Sequence, residues 1–141
     1  MSDYKTTEQD FERFKTSFMF WYKKLGLQGW QVFFRHKKLD VPCYARIISD
    51  YGVRAATVHF NKVICEEDIP EFDPIRSGKH EAFHLLLAPL EYHAHARYIH
   101  REDIDSAEEE IVVRLQNTIP NDEFYKEFGK EIRDAGLREE D

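Results

Sequence analysis

The chain has 141 residues, a formal net charge of −7 and an aromatic content of 14%. This length suits one domain with a sizeable core, so we expect a single domain over residues 1–141, with residues 1–6 and 138–141 loosely ordered. The acidic balance offers no basic stripe for a phosphate backbone, so nucleic acid is not an expected partner.

Two features of the composition bear on the compartment. Cys43 and Cys65 lack the paired spacing of a thiolate zinc site and are too few for a disulfide framework, which favours a reducing environment. The most apolar N-terminal run, residues 18–22, is too short to span a bilayer. We therefore expect a cytoplasmic protein that does not insert into a membrane.

The first predicted element is an amphipathic helix from about Thr7 to Leu25, where apolar residues recur every three or four positions. Thr7 suits the N-cap and Gly26 suits the terminator. Its aromatic stripe is expected to face the core rather than a partner. The stripe consists of Phe11, Phe14, Phe18, Trp21, Tyr22 and Leu25.

A small, twisted, mostly antiparallel sheet is expected next. Trp30–His36 alternates as a strand does, and Tyr44–Ser49 and Ala55–Asn61 are β-prone runs joined by the turn-forming residues 50–52. The last two are expected to pair antiparallel. His59 falls on the face opposite the apolar positions of its strand, so it is interpreted as solvent-facing or sheet-packing rather than as a ligand.

A connection over residues 62–76 leads into a second helix. Asp73 can cap this helix with Pro74 at its first position, or Ser77 can cap a shorter one, and Pro89 is expected to end or bend it after about Ala88. A stripe at helical spacing predicts the face that meets the core. It consists of Phe83, Leu86, Leu87 and Leu90.

This helix carries His80-Glu81-Ala82-Phe83-His84. Residues four apart on a helix differ by about 40° of rotation and about 6 Å of rise, so both imidazoles can bind one metal ion. Glu81 lies on the flank beside His84, where its carboxylate can approach a water on that metal without being a ligand. The pattern is the H-E-x-x-H of zinc hydrolases, and its place beside the apolar stripe predicts a buried site.

Three more histidines follow at positions 93, 95 and 100. His93 and His95 could chelate from an extended segment, but no carboxylate has the spacing to complete a second site, so none is expected. Another amphipathic helix is predicted next, and then a last helix that closes the domain. The apolar positions are Ile104, Ile111, Val112, Leu115 and Ile119 in the first of these helices, and Phe124, Phe128, Ile132 and Leu137 in the last.

Catalytic zinc usually has three protein ligands, and Glu108-Glu109-Glu110 at the head of the later helix can supply the third. The run His80-Glu81-Ala82-Phe83-His84-Leu85-Leu86-Leu87-Ala88-Pro89-Leu90, followed by Glu108-Glu109-Glu110-Ile111-Val112-Val113-Arg114-Leu115, resembles small phage-encoded zinc metallopeptidases. More distantly it is similar to the minimal gluzincins, whose third ligand is a glutamate from a later helix. Only these two helical motifs are specific.

The choice among the three glutamates stays open on geometry. Helical periodicity puts Glu108 at the centre of the apolar face, whereas the pattern of the resembled family, with apolar residues at +3 and +6, selects Glu109. We choose Glu109 as third ligand. The alternative to a metal-binding role is that Ser106 with Glu109, or Asp105 with Glu108, forms a capping box.

The resemblance implies an α+β zincin-like domain that binds one zinc ion through His80, His84 and Glu109 and hydrolyses peptide bonds in a peptide or protein substrate. Glu81 would take a proton from the zinc-bound water and return it to the leaving amine. Ala55–Asn61 is the candidate edge strand for an extended peptide.

No residue is firmly assigned to oxyanion stabilisation, and the candidates are Tyr92, Tyr98, His93 and His95. The alternative function is a non-catalytic, zinc-stabilised protein-binding module, whose metal would have a closed fourth position. Neither the cleavage preference nor the oligomeric state follows from the sequence.

Overall fold

The chain combines four α-helices with two small sheets over residues 2–134, which a computed structural model describes apart from the side chains of residues 132 and 133. The strands are β1 (Tyr4–Lys5), β2 (Gln31–Lys37), β3 (Ala45–Asp50), β4 (Ala55–Asn61) and β5 (Val63–Ile64). The helices are α1 (Glu8–Lys24), α2 (Pro74–His95), α3 (Arg101–Thr118) and α4 (Asp122–Asp134), with a 3-10 helix at Glu66–Glu71. The predicted α+β class is confirmed. Within the described range, no helix combines the length and the apolar character needed to cross a bilayer.

The larger sheet has the strand order β2-β4-β3. β4 pairs antiparallel with β3, as predicted, and opposite residues include Ala45 with Phe60. It pairs parallel with β2, so this sheet is mixed rather than mostly antiparallel. The expectation that Ala55–Asn61 is an edge strand is wrong, because β2 and β3 use the backbone groups on both of its sides. β3 is instead an edge of this sheet.

The N-terminal residues are tied to the rest of the fold. β1 pairs antiparallel with β5, the Tyr4 hydroxyl donates to the Asp10 carboxylate at 2.6 Å, and the Thr6 hydroxyl donates to the Asn61 carbonyl at 2.8 Å. The expectation of a loose segment is therefore wrong for residues 2–6. Residue 1 and residues 138–141 lie outside the described range.

Helix α1 begins as predicted. The Thr7 hydroxyl accepts from the Asp10 N–H at 3.0 Å, and the Asp10 carboxylate accepts from the Thr7 N–H at 2.9 Å, so the pair closes a capping box. Gly26, with a φ of +69°, follows the last turn. The Phe14 ring packs 4.7 Å from the Phe60 ring, which confirms that the aromatic stripe meets the core.

Helix α2 begins at Pro74 with Asp73 as its cap, which accepts from the N–H groups of Ile75 and Arg76 at 3.0 and 3.3 Å. It does not end before Pro89, as one reading of the sequence expected, but continues to His95. A proline in a helix removes one backbone hydrogen bond and crowds the preceding turn. Pro89 is buried here, so packing offsets that cost.

The predicted apolar stripe of α2 is only partly buried. Leu86 lies in the core and Leu90 packs against it, whereas Phe83 and Leu87 are exposed. The small residues Gly78 and Ala82 are buried as well. A Cβ atom at Gly78 would lie 2.5 Å from the carbonyl oxygen of Phe14 in α1, so the two helix backbones approach closely at this point.

Helix α3 starts at Arg101, earlier than the proposed capping boxes require. The N–H of His100 donates to the Asp103 carboxylate at 3.3 Å at this start. Both proposed boxes, at Ser106 and at Asp105, are therefore wrong. Residues 108–110 lie in the third turn of α3 rather than at its head.

Helix α4 forms as predicted, but Phe124 and Phe128 are exposed rather than buried in the core. The side chain of Ile132, and Leu137 as a whole, lie outside the described residues. The expected closure of the domain by these apolar positions is therefore not seen for the two phenylalanines.

We expect Gly78→Ala to lower the free energy of unfolding by about 1–3 kcal/mol, because the added methyl group would overlap backbone atoms of α1 that cannot move independently. Urea denaturation measures the loss. Gly29→Ala is the matched control, since a Cβ there meets nothing within 4 Å. Equal effects of the two substitutions would contradict the close helix contact.

Candidate metal centre

His80 and His84 point their imidazole rings at the same place outside α2. Their Nε2 atoms are 3.1 Å apart and their ring centroids 4.8 Å apart. Both side chains are exposed, so the prediction of a buried metal site is wrong for the histidines. The reason is the rotation of α2, whose small residues face α1 and leave the histidine edge outside.

The separation of the two nitrogens fits the donor spacing of a zinc ion. Two ligand nitrogens at about 2.0–2.1 Å from one tetrahedral zinc stand roughly 3.3–3.4 Å apart, close to the observed value. A hydrogen bond from one neutral imidazole to the other also fits this distance, and it leaves the pair in the same arrangement. His80 and His84 are thus two preorganised nitrogen donors.

Glu81 lies on the other side of this edge and is 6% exposed. No hydrogen bond to its carboxylate is found within residues 2–134, and burial raises its pKa to about 7. A buried carboxylate without hydrogen-bond donors holds its proton more tightly because its charged form loses hydration. Glu81 is therefore a proton acceptor with a near-neutral pKa, next in sequence to one of the histidines.

Glu81 and His80 line the same cavity, which has a volume of about 290 Å³. The opposite wall is formed by Cys43, Tyr44 and Ala45, where the chain enters β3. The Tyr44 hydroxyl donates to the carbonyl of Asp68 at 2.8 Å and so fixes the 3-10 helix beside this wall. The cavity brings the buried carboxylate, one imidazole and an edge strand together.

Sequence reasoning missed the wall residues. Burial raises the pKa of the Cys43 thiol above its usual value, so it is a protonated, apolar part of the wall. Neither Cys43 nor Tyr44 belongs to a motif, and both are more than thirty positions from His80. Only their place at the start of the edge strand connects them with the site.

The predicted third ligand is not brought to the histidines. Glu109 lines a separate groove with Lys23, Lys24 and Leu25 at the end of α1. Over residues 2–134, no three His, Cys, Asp or Glu side chains form a group that could hold a metal ion. The described structure therefore supplies two of the three expected ligands, and the role of Glu109 stays a prediction.

Glu110 has a structural role. Burial pushes its pKa up, but hydrogen bonds from Arg114 and Arg54 and the charges of both arginines outweigh that effect and leave the pKa below its usual value. The carboxylate lies 3.0 Å from Arg114 and 3.3 Å from Arg54. Because Arg54 precedes β4, Glu110 links α3 to the sheet.

The remaining histidines are separate from this edge. His93 and His95 lie in the last turn of α2, not in an extended segment, so they point about 200° apart and do not face one common metal. The ring of His93 is 5.7 Å from that of Tyr51. His59 is buried rather than solvent-facing, and desolvation, with the charges of Lys37 and Arg46, lowers its pKa.

No protein-family model, curated protein or solved structure matches this chain. The resemblance carried by the two helical motifs therefore has only those residues behind it. Any functional conclusion depends on the geometry of His80, His84 and Glu81.

In metal-free protein, the ionisation of Glu81 should lower the stability as the pH rises, because Glu81 ionises near pH 4.5 when unfolded and near pH 7 when folded. Below both values the carboxyl is neutral in either state. Between them only the unfolded state releases the proton, so the free energy of unfolding falls by about 3 kcal/mol.

Urea denaturation in the presence of a chelator, at pH 5 and at pH 8, measures this loss. Glu81→Gln should remove most of it, since the amide does not ionise. Glu91→Gln, at an exposed position of the same helix, should retain the wild-type dependence on pH. An unchanged dependence in the Glu81 variant would show that this carboxyl is not the group responsible.

Proposed function

We propose that the chain is a zinc-dependent peptidase of the zincin-like type, acting on peptide bonds of a peptide or protein substrate. The observation that supports this most strongly is the 3.1 Å separation of the His80 and His84 Nε2 atoms, with the buried carboxylate of Glu81 next in sequence. Zinc hydrolases of the H-E-x-x-H type have these two kinds of group on adjacent sides of one helix. One zinc ion per chain is expected.

His80 and His84 would hold the metal through their neutral Nε2 atoms, with Glu109 the proposed third ligand from the sequence pattern. Bound zinc would supply a Lewis acid that polarises the scissile carbonyl and lowers the pKa of a water molecule towards neutrality. The exposure of both histidines supports access of a large substrate to this edge of α2.

Glu81 would act as the general base and then as the general acid. Its carboxylate takes a proton from the attacking water and returns it to the leaving amine. It shares a cavity with His80, which places the carboxylate and one of the histidines along the same space. A carboxylate so poor in hydrogen-bond donors accepts a proton more readily than an exposed one.

We assign substrate binding to the free edge of β3. The Asn61 N–H donates to the Tyr44 carbonyl at 3.0 Å, so by the alternation of an antiparallel ladder the backbone groups of Ala45, Ile47 and Ser49 face away from β4. An extended peptide can pair with these groups by strand addition. Ala45 lines the cavity of Glu81, which would bring the paired peptide close to the histidines.

The central test compares two variants of the zinc-loaded protein. Glu81→Gln should keep about one zinc ion per chain but lower peptide hydrolysis by at least about a hundredfold, since an amide cannot accept the proton. His80→Ala should lose the zinc itself. Elemental analysis and cleavage of a broad peptide library measure the two effects.

His100→Ala, at an exposed position between α2 and α3, is the matched control and should retain both zinc and activity. Full zinc retention in His80→Ala would move the metal site elsewhere. Zinc-loaded wild-type protein that cleaves no peptide in the library would rule out the peptidase and favour the zinc-stabilised binding module.

The third ligand is tested by paired substitutions in α3. Glu109→Gln should weaken zinc affinity by at least about tenfold, whereas Glu108→Gln should leave it unchanged, because the two positions differ by about 100° around the helix. Competition with a chelator of known affinity measures both. The reverse ranking would assign Glu108, and no effect from either would exclude both residues as ligands.

A further inference from the structure

Helix α4 has an aromatic and acidic face turned outwards. Phe124 and Phe128 lie four positions apart and are 51% and 40% exposed. Glu127 and Glu131 follow these phenylalanines by three positions, which puts them on the same side of the helix. An exposed pair of rings with carboxylates beside them is suited to an apolar groove edged by cations.

Such a groove lies between α1 and the start of α2. It has a volume of about 530 Å³, and its apolar lining comes from Phe20 and Trp21 of α1 and Ile75 of α2. The Ser17 hydroxyl donates to the Ile75 carbonyl at 2.6 Å and joins the two walls. Phe20 is 54% exposed, although it belongs to α1, a helix that packs against the core.

Three cations lie at this groove, and the one carboxylate that lines it, that of Glu12, is paired with Lys15 at 2.7 Å. The Lys79 ammonium lies 4.6 Å from the ring centroid of Trp21, and that of Lys24 lies 5.6 Å from the ring centroid of Phe20. Arg13 lines the groove directly. An acidic helix would therefore find opposite charges at the rim, which fixes its orientation and disfavours partners of the same sign.

We infer that α4 of a second copy of this chain binds in the α1/α2 groove, with Phe124 and Phe128 against Phe20 and Trp21. The rings fill the apolar lining, and the carboxylates of Glu127 and Glu131 face the cations at the rim. This is self-association and does not depend on the proposed zinc chemistry.

Each copy presents both a helix and a groove, so two copies related by a two-fold axis would make the contact twice. A helix of 13 residues is about 20 Å long, and one such contact buries less than the roughly 800 Å² per partner of a standard interface. Two symmetric contacts double the buried area. The expected assembly is therefore a closed dimer with two-fold symmetry.

Sedimentation equilibrium of the full chain at about 100 µM should show a dimer. Phe20→Glu puts a charge into the apolar lining of the groove, and Phe128→Glu puts one on the aromatic face of α4. Each variant alone should therefore associate at least about tenfold more weakly than the wild type. Phe33→Glu is the matched control, since Phe33 is also 40% exposed but lies on the sheet. Circular dichroism confirms that each variant is folded.

An equimolar mixture of the two weakened variants distinguishes this interface from any other. The Phe20→Glu copy keeps an intact α4 and the Phe128→Glu copy keeps an intact groove, so the mixture should recover one of the two contacts and associate more tightly than either variant alone. A monomeric wild type, dimers that persist in both variants, or a mixture no tighter than its components would each overturn the proposal.

Discussion

The structure depends on the close approach of α1 and α2 at Gly78. The backbone of α1 is so near that no Cβ fits between the helices at this point. This contact brings one face of α2 against α1, and the orientation of the neighbouring residues of α2 follows from it.

This orientation separates the groups of the candidate site by environment. Glu81 is turned towards the cavity beside β3 and loses most of its hydration, while His80 and His84 remain at the surface. In the peptidase that we propose, a carboxylate that exchanges protons near neutral pH benefits from burial, and metal ligands that meet an incoming peptide benefit from exposure. A single packing contact thus places neighbouring residues in opposite environments, one buried and the others exposed.

Hydrophobic periodicity predicted the elements that bury large side chains. It gave α1 with its cap at Thr7, and it gave β3 and β4 with their antiparallel pairing. For α2 it placed Leu86 and Leu90 correctly against the core but Phe83 and Leu87 wrongly. Gly78 and Ala82, which are buried there, carry almost no hydrophobic signal. The helical spacing of His80 and His84 was readable because it is local.

Features that depend on contacts between distant parts of the chain could not be predicted from the sequence. The neighbours of β4 depend on the path of the chain in three dimensions. Its central position in the sheet could therefore not be inferred from the alternation of apolar and polar residues. The wall of the cavity at Cys43 and Tyr44 depends on the same topology. The turn of α3 that carries the three glutamates was misplaced because a start at Arg101 has only a weak cap signal at His100 and Asp103.

The pairing of β1 with β5 has a consequence for the order of folding. It joins residues about sixty positions apart, and closing a flexible loop of that length costs roughly 4 kcal/mol of chain entropy, more than two short strands return. After α1 and the three-stranded sheet have formed, the residues of β1 and β5 are already neighbours, so the entropy cost of closing the loop largely disappears. We therefore expect residues 4 and 5 to pair with β5 only after the three-stranded sheet has been assembled.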